Sequence, residues 1–278
     1  MLGPRDLVLS SGVLGNPPLE ELLRAAEAGG YRGLVLWPGD YHPSLRPGPS
    51  IPEMRRMIDD SGVELWDLDA LVAWVGADDP GPPYYEEAVE AKVFELGQGL
   101  GAHGVNMLLA GDPHAPIEQA AEVVAGVAER AARYGLVTHL EFSRTRCTPD
   151  IPSAARLVES VGRDDLGLML DAWHVYWGPG SFADIDGLRG ERVTGVQLSD
   201  APATEPEDLG WATRHQRGIP GEGVLDLAGL LRSLERIGCR APLCIEAFDT
   251  PRLETLSPTE FAIELARAAR RVIAAASS

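Results

Sequence analysis

Short apolar runs of strand length alternate with longer amphipathic segments along the chain. The short runs are continuously apolar, which is typical of parallel strands covered by helices. The predicted strands are Asp6–Leu9, Gly33–Trp37, Val63–Leu68, Gly104–Leu108, Val137–Glu141, Gly167–Asp171, Val193–Leu198 and Leu243–Glu246. The predicted helices are Leu19–Ala28, Pro52–Ser61, Tyr84–Leu100, Ile117–Tyr134, Pro152–Val161, Ala183–Leu188, Leu225–Ile237 and Pro258–Ala275. This alternation predicts βαβ units and a parallel sheet.

Eight such units fit a closed barrel better than an open sheet. A doubly wound open sheet would need a phosphate-binding turn between an early strand and a helix. The G-x-G-x-x-G motif of Gly99, Gly101 and Gly104 instead follows a helix and precedes a strand. We therefore predict an α/β fold, a single-domain (β/α)8 TIM barrel over residues 1–278. The longest predicted loop is Ser199–Gly223, and loops of that length inside a compact domain are usually functional.

Length and charge narrow the class of partner. A chain of 278 residues suits one large α/β domain or two small ones, and a hydrophobic content of 45% is enough for a sizeable core. The formal net charge of −18 opposes nucleic acid, so we expect a small-molecule partner. No segment reaches the roughly 20 apolar residues that span a bilayer, so no membrane partner is predicted. The sequence is compatible with a homo-oligomer but specifies no oligomeric state.

Cysteine and lysine content bear on compartment and chemistry. The first apolar run contains Asp6 and follows no basic segment, so it does not predict a signal peptide. The cysteines Cys147, Cys239 and Cys244 are too few for a disulfide framework, which predicts reduced thiols and a cytoplasmic protein. The single lysine, Lys92, falls in a predicted helix, which excludes a Schiff-base aldolase with its lysine at a strand end.

Four consecutive strands end in oxygen-bearing side chains. Glu141 closes the fifth strand, Asp171 the sixth and Glu246 the eighth, while Gln197 lies near the end of the seventh. In a TIM barrel the chemistry lies at these C-terminal ends. Three converging carboxylates without a cation would repel one another, and a divalent ion would supply the opposing charge. The pattern therefore predicts one metal ion held by these four residues.

Each of these residues also has an ordinary structural interpretation. An acidic residue after one barrel strand is often a helix N-cap or a solvated rim residue. Gln197 alone is the least specific, because a glutamine also satisfies backbone groups. Four such residues in register on consecutive strands favour the metal site.

These residues and their surroundings resemble the xylose isomerase-like barrel superfamily, which includes the sugar phosphate isomerases and epimerases. The resemblance covers nearly the whole chain and is strongest from Val137 onward. The motif positions are Glu141, the segments LDAWH at 170–174, VQLSD at 196–200 and RGIPGEG at 217–223, and Glu246.

The resemblance implies a ligand set of Glu, Asp, His and Glu in sugar epimerases such as D-tagatose 3-epimerase. Gln197 stands where those epimerases have histidine. Bacterial 3-dehydroshikimate dehydratases of the same superfamily are similar in having glutamine there. An all-oxygen ligand set favours Mn²⁺ or Mg²⁺ over metals that prefer imidazole.

The resemblance also implies acid–base roles. Glu141 and Glu246 would face opposite sides of the substrate and exchange protons with it. His174, three residues after Asp171, has two interpretations. It either contacts the substrate and protonates a leaving hydroxyl, or it hydrogen-bonds a ligand carboxylate from outside.

Substrate contacts are predicted in the loops. Arg217 resembles the family arginine that binds substrate oxygens, although Arg214 and His215 are near neighbours. Trp37, His42 and Trp173 follow strand ends, and such side chains either stack on the C–H faces of a sugar or cover the barrel top.

Three functions follow. The first is a metal-dependent isomerase or epimerase of a keto-sugar or related polyol, acting through an enediolate. The second is a dehydratase of a cyclic hydroxyketone such as 3-dehydroshikimate or a keto-inositol, a hypothesis that Gln197 favours. The third, a non-catalytic binding barrel, fits poorly with a complete ligand set. All three predict a small polyhydroxy ligand.

Overall fold

The computed structural model describes residues 2–38, 48–76 and 87–277. Eight strands in these ranges close into a parallel barrel in sequence order. They are β1 Leu7–Ser10, β2 Gly33–Leu36, β3 Glu64–Val75, β4 Gly104–Gly111, β5 Val137–Glu141, β6 Leu166–Asp171, β7 Val193–Leu198 and β8 Leu243–Ile245. The ring closes where Val8 pairs with Cys244. The predicted single-domain (β/α)8 TIM barrel is confirmed.

The helices surround the barrel. They are α1 Leu19–Gly29, α2 Ile51–Ser61, α3 Glu87–Leu100, α4 Ile117–Ala132, α5 Ile151–Val161, α6 Ala172–Trp177, α7 Leu209–His215, α8 Leu227–Arg236, α9 Thr250–Leu253 and α10 Pro258–Ala276. Local sequence sets their ends: Asp150 accepts a hydrogen bond from the Ser153 N–H to begin α5, and Gly162 ends it in the left-handed conformation. Among the described helices, none is long and apolar enough to cross a bilayer.

The barrel interior is apolar at its base and polar above. Val8, Val35, Trp66 and Cys244 form a small apolar cluster separate from the larger core between strands and helices. Higher in the barrel, His139 lies 2.8 Å from an Asp67 oxygen. A Cβ on Gly104 would lie 2.3 Å from the His139 ring, so a glycine is needed beside this imidazole.

Strand β3 is longer than predicted. The sequence pattern placed its end at Leu68, whereas it continues to Val75 beside β4. Asp67 and Asp69 interrupt the apolar run, but they lie on the strand and not in a loop. The register between β3 and β4 shifts after Leu68, a bulge of the kind often found beside active sites.

Two segments differ from the predicted pattern. The predicted helix Ala183–Leu188 is a 3₁₀ helix over Phe182–Gly187, and the α-helix of that unit is α6, directly after β6. The predicted loop Ser199–Gly223 contains α7. Helices α6 and α7 have six and seven residues, too few to display a helical period in the sequence. The first residues of the predicted helix Tyr84–Leu100 lie outside the described ranges.

Candidate metal centre

The C-terminal mouth of the barrel collects the four predicted ligands. Glu141 and Asp171 are the last residues of β5 and β6, and Gln197 lies opposite Asp171 in the strand register. Glu246 follows β8 and donates its backbone N–H to the Leu198 carbonyl at 2.9 Å. All four are buried, with exposed fractions of at most 4%. The fold therefore places these four side chains at the same end of the barrel.

Arg217 joins two of these carboxylates. Its Nη1 donates to Asp171 Oδ2 at 2.8 Å and to Glu246 Oε2 at 2.7 Å. Its Nε donates to the Thr213 carbonyl at 2.7 Å, and its guanidinium carbon lies 5.1 Å from the centre of the Phe248 ring. Burial opposes the charge of Arg217, but Asp171 and Glu246 outweigh that effect and raise its pKa. The group is thus a fixed buried cation.

The loop after α7 is what brings Arg217 into the mouth. The buried Asp200 carboxylate accepts backbone N–H groups of Ala201, Gly221 and Leu225 at 2.9, 2.9 and 3.0 Å. Gly221 has φ +84°, a conformation that favours glycine. The neighbouring candidates do not share this place: Arg214 is exposed and His215 stacks on Trp211.

His174 lies against the other side of the site. Its Nε2 is 3.2 Å from Glu141 Oε1 and 3.6 Å from Asp171 Oδ2. Glu141, Asp171 and His174 each offer a ligand atom, and these atoms lie within 4.8 Å of one another. The imidazole therefore forms a cluster with two of the four predicted ligands, Glu141 and Asp171. Its position is compatible with both roles predicted for it.

Two further residues of the site, Asp69 on β3 and Asn106 on β4, were missed by the sequence analysis. Asp69 Oδ1 accepts from Asn106 Nδ2 at 2.9 Å, and Asp69 Oδ2 accepts from Gln197 Nε2 at 2.8 Å. Asn106 Nδ2 also donates to Glu141 Oε2 at 2.5 Å. The signal that could have revealed Asp69 is the alternation Asp67-Leu68-Asp69, which places both carboxylates on one face of the strand.

The hydrogen bonds described above link the side chains around the mouth, and these side chains carry more negative than positive charge. Burial, and next the charge of Glu141, raise the pKa of Asp69 to about 7 against the opposing hydrogen bond from Asn106. Burial also raises the pKa of Glu246 well above its ordinary value, although Arg217 opposes it. Burial disfavours the charged form of Glu141 too, but the hydrogen bond and charge of His174 outweigh it and lower the Glu141 pKa.

The donor set fits a divalent cation. Asp69, Glu141, Asp171 and Glu246 are buried around one permanent cation, Arg217, so a second cation would relieve repulsion. The Gln197 amide oxygen is buried and has no hydrogen-bond partner among the described residues. Burying such an oxygen is costly unless something binds it. A metal ion at this place would take that oxygen as a ligand.

The aromatic residues predicted to contact the substrate differ in how exposed their rings are. Trp37 is half-buried near the mouth, and its ring lies edge-on to Phe248 at 5.7 Å. Trp173 is fully buried, with its indole N–H donating to Thr213 Oγ1 at 3.0 Å. A ring with no exposed surface has no face for a substrate, so the predicted substrate contact of Trp173 is not supported by its position. His42 lies outside the described residues.

Comparison with known proteins identifies the sequence family to which the chain belongs. Residues 22–273 match the sequence family described as the xylose isomerase-like TIM barrel. The chain belongs to this family. The resemblance inferred from its strand-end residues is thereby confirmed.

Named relatives of this xylose isomerase-like barrel include two kinds of enzyme. A 3-dehydroshikimate dehydratase of Pseudomonas aeruginosa is 32% identical over 234 residues, which cover 83% of this chain and 36% of the relative. The chain therefore spans about a third of the length of that dehydratase. An inosose isomerase of Bacillus velezensis is 27% identical over 243 residues, which cover 84% of this chain and 85% of the relative.

Solved structures agree on the fold. A structure of the IOLI protein with a bound zinc atom superposes with a TM-score of 0.83 at 22% identity, covering 98% of both chains. At that identity the likeness concerns the fold alone. The two named relatives are enzymes, so the family to which the chain belongs includes an isomerase and a dehydratase.

Proposed function

We propose that this protein is a divalent-metal-dependent dehydratase acting on a cyclic hydroxyketone of the 3-dehydroshikimate type. The observation that carries the proposal is the difference between the two glutamates. Glu141 lies 3.2 Å from the imidazole of His174, a group that gains and loses protons, whereas Glu246 is paired with Arg217, which keeps its protons. One side of the site is therefore equipped for proton transfer, which suits elimination.

The metal would be held by Glu141, Asp171, Gln197 and Glu246, with Mn²⁺ or Mg²⁺ favoured by the oxygen ligands. When bound, such an ion polarises a carbonyl and stabilises the negative charge that develops on its oxygen. The bound zinc atom of the IOLI structure supports a divalent ion in a barrel of this shape. Glutamine at position 197 also distinguishes this site from the histidine expected in sugar epimerases.

Residues of the chain supply the proton steps. Glu141 removes a proton from the carbon next to the substrate carbonyl, and the electron pair of that C–H bond forms the new double bond. The C–O bond of the β-hydroxyl breaks, and the departing oxygen takes a proton from His174 to leave as water. The proton on Glu141 then passes across the 3.2 Å contact to His174, which restores both groups.

Binding of the substrate would use the groups around this pair. Arg217 is fixed by Asp171 and Glu246 and would orient substrate oxygens with its remaining N–H groups. The half-buried Trp37 ring would cover an apolar face of the substrate.

All three cysteines are free thiols, which supports a reducing compartment such as the cytoplasm.

An isomerase or epimerase of a polyhydroxy ketone is the second candidate. It is favoured by the placement of Glu141 and Glu246 on β5 and after β8, at two separate positions on the rim. The inosose isomerase relative supports it, because that match extends over 85% of the relative. Such an enzyme would need both glutamates to exchange protons with substrate carbons.

The test is a substrate screen of the metal-loaded protein. Protein loaded separately with Mn²⁺, Mg²⁺, Co²⁺ or Zn²⁺ is incubated with 3-dehydroshikimate, inososes and ketoses, and ultraviolet absorbance records conjugated products. We expect a conjugated product from the cyclic hydroxyketone. Interconversion of ketoses or inososes without loss of water would contradict the dehydratase and favour the isomerase.

His174→Gln and the matched control His103→Gln connect activity to the site. His103 lies directly before β4, at the end of the barrel opposite the mouth. We expect His174→Gln to lower turnover by about 10² to 10⁴-fold, the usual contribution of general acid–base catalysis, and His103→Gln to leave it unchanged. Equal activity of the two variants would exclude His174 as the acid.

A further inference from the structure

The amide of Gln197 is an ambiguous metal ligand by its chemistry. Its oxygen binds a hard cation, whereas its NH₂ group is only a hydrogen-bond donor, and the two ends have nearly the same shape. A rotation of half a turn about the last side-chain bond exchanges them. A site that uses this residue therefore needs something that determines which end faces the metal.

Asp69 provides that selection. One carboxylate oxygen, Oδ2, accepts from Gln197 Nε2 at 2.8 Å, and the other, Oδ1, accepts from Asn106 Nδ2 at 2.9 Å. An ionised carboxylate only accepts hydrogen bonds, so it attracts the NH₂ end of both amides and repels their oxygens. The Gln197 oxygen is consequently turned away from Asp69, and it is the end that has no partner among the described residues.

We propose that Asp69 is a positioning residue that holds the Gln197 amide with its oxygen directed at the metal. The inference rests on the proposed metal site and deepens it. It explains how a glutamine serves at a position where the sugar epimerases of the superfamily have histidine. It also gives β3, outside the four ligand-bearing strands, a defined part in metal binding.

Asn106 strengthens the same selection. Its NH₂ group bridges Asp69 and Glu141, so reversing it would place its oxygen against the Glu141 carboxylate. With an asparagine at position 69, only one oxygen would remain to accept from two NH₂ groups. Either Gln197 would then turn its NH₂ toward the metal, or Asn106 would turn its oxygen toward Glu141. Both rearrangements weaken the site.

The first test is the metal affinity of Asp69→Asn. Isothermal titration with Mn²⁺ and with Mg²⁺ at pH 8 is compared for the wild type, Asp69→Asn and the matched control Asp67→Asn. Asp67 lies two residues earlier on β3 and bonds His139, not Gln197. We expect Asp69→Asn to weaken binding by about 10 to 100-fold, as is usual for partners that orient metal ligands, with a much smaller change in Asp67→Asn.

A double variant exchanges the donor and the acceptor between the two residues and restores the charge that Asp69→Asn removes, while Asp67→Asn measures the effect of a lost charge alone. In Asp69→Asn/Gln197→Glu the introduced glutamate has two equivalent oxygens, so one accepts from the introduced asparagine and the other faces the metal. We expect this variant to recover most of the lost affinity. A double variant no tighter than Asp69→Asn, or equal losses in Asp69→Asn and Asp67→Asn, would overturn the inference. A wild type that binds no metal would overturn the metal site as well.

A spectrum of the wild type also tests the inference, independently of the folding of Asp69→Asn. The side-chain amide of Gln197, assigned by its loss in Gln197→Glu, is followed at pH 8 in ¹⁵N–¹H spectra of the metal-free and the Mg²⁺-loaded wild type. We expect one amide proton shifted downfield and protected from exchange with water in both forms, because it bonds a buried carboxylate. An amide with the shift and exchange of a free glutamine side chain would overturn the inference.

Discussion

Replacement of Arg217 tests the balance of charge in the mouth. In the metal-free protein, Arg217→Gln removes the cation that lies 2.8 Å from Asp171 and 2.7 Å from Glu246, both buried. Breaking a buried ion pair by removing one partner costs about 3–5 kcal/mol, because the remaining charge stays buried and uncompensated. At about 2 °C per kcal/mol for a chain of this size, the melting temperature should fall by about 6–10 °C.

The matched control is Arg133→Gln. Arg133 pairs with Glu129 at 2.7 Å on the helix surface, with both side chains mostly exposed. Solvent-exposed ion pairs contribute little to the free energy of unfolding, so the melting temperature of Arg133→Gln should change by about 2 °C or less. Circular dichroism melting of metal-free wild type, Arg217→Gln and Arg133→Gln measures the difference.

Adding metal should then reduce the difference in melting temperature between wild type and Arg217→Gln. A divalent ion near Asp171 and Glu246 replaces part of the charge that Arg217 supplied, so saturating Mn²⁺ should stabilise Arg217→Gln more than wild type. The reasoning is refuted if Arg217→Gln and Arg133→Gln melt alike without metal. If saturating Mn²⁺ left the difference in melting temperature between wild type and Arg217→Gln unchanged, the metal would not bind close enough to Asp171 and Glu246 to replace the charge of Arg217.

Three further predictions concern the same cluster. Gln197→His should keep metal binding but shift its preference toward Zn²⁺ or Co²⁺, since a nitrogen donor replaces an oxygen; competition titrations would show this, and an unchanged ranking would argue against Gln197 as a ligand. Glu141→Gln should retain some metal yet lose about 10² to 10⁴-fold in turnover, whereas Glu246→Gln should mainly weaken metal binding. The exchange of solvent deuterium into the substrate measures proton removal, and exchange by Glu141→Gln at the wild-type rate would contradict the role of Glu141 as the base. Because the pKa of Asp69 in the folded protein is raised to about 7 from an ordinary 3.8, the metal-free folded state binds the extra proton and should lose stability as pH rises from about 4 to 7, then level. In urea unfolding, the decrease in the free energy of unfolding from pH 5 to pH 8 should be smaller for Asp69→Asn than for wild type. An equal decrease in the two proteins would exclude Asp69 as the source of the pH dependence.

Much of the fold and half of the site follow from local sequence. Apolar runs, helix caps and glycines after helices mark the βαβ units, because each of these signals depends on neighbours a few residues away. Once eight parallel strands are recognised, the C-terminal ends share one face of the barrel. That rule alone brought Glu141, Asp171, Gln197 and Glu246 together.

Only the tertiary structure decided how these groups are connected. The bond from Gln197 to Asp69 spans 128 residues and exists because the barrel closes β3 and β7 around one interior. The choice of Arg217 over its neighbours depended on a loop anchored by Asp200. The burial of Trp173 depended on its packing against α7, where Thr213 accepts a hydrogen bond from its indole N–H. Periodicity records which face of an element is apolar, whereas contacts across the barrel depend on closure and on the path of long loops, which leave no local pattern in the sequence.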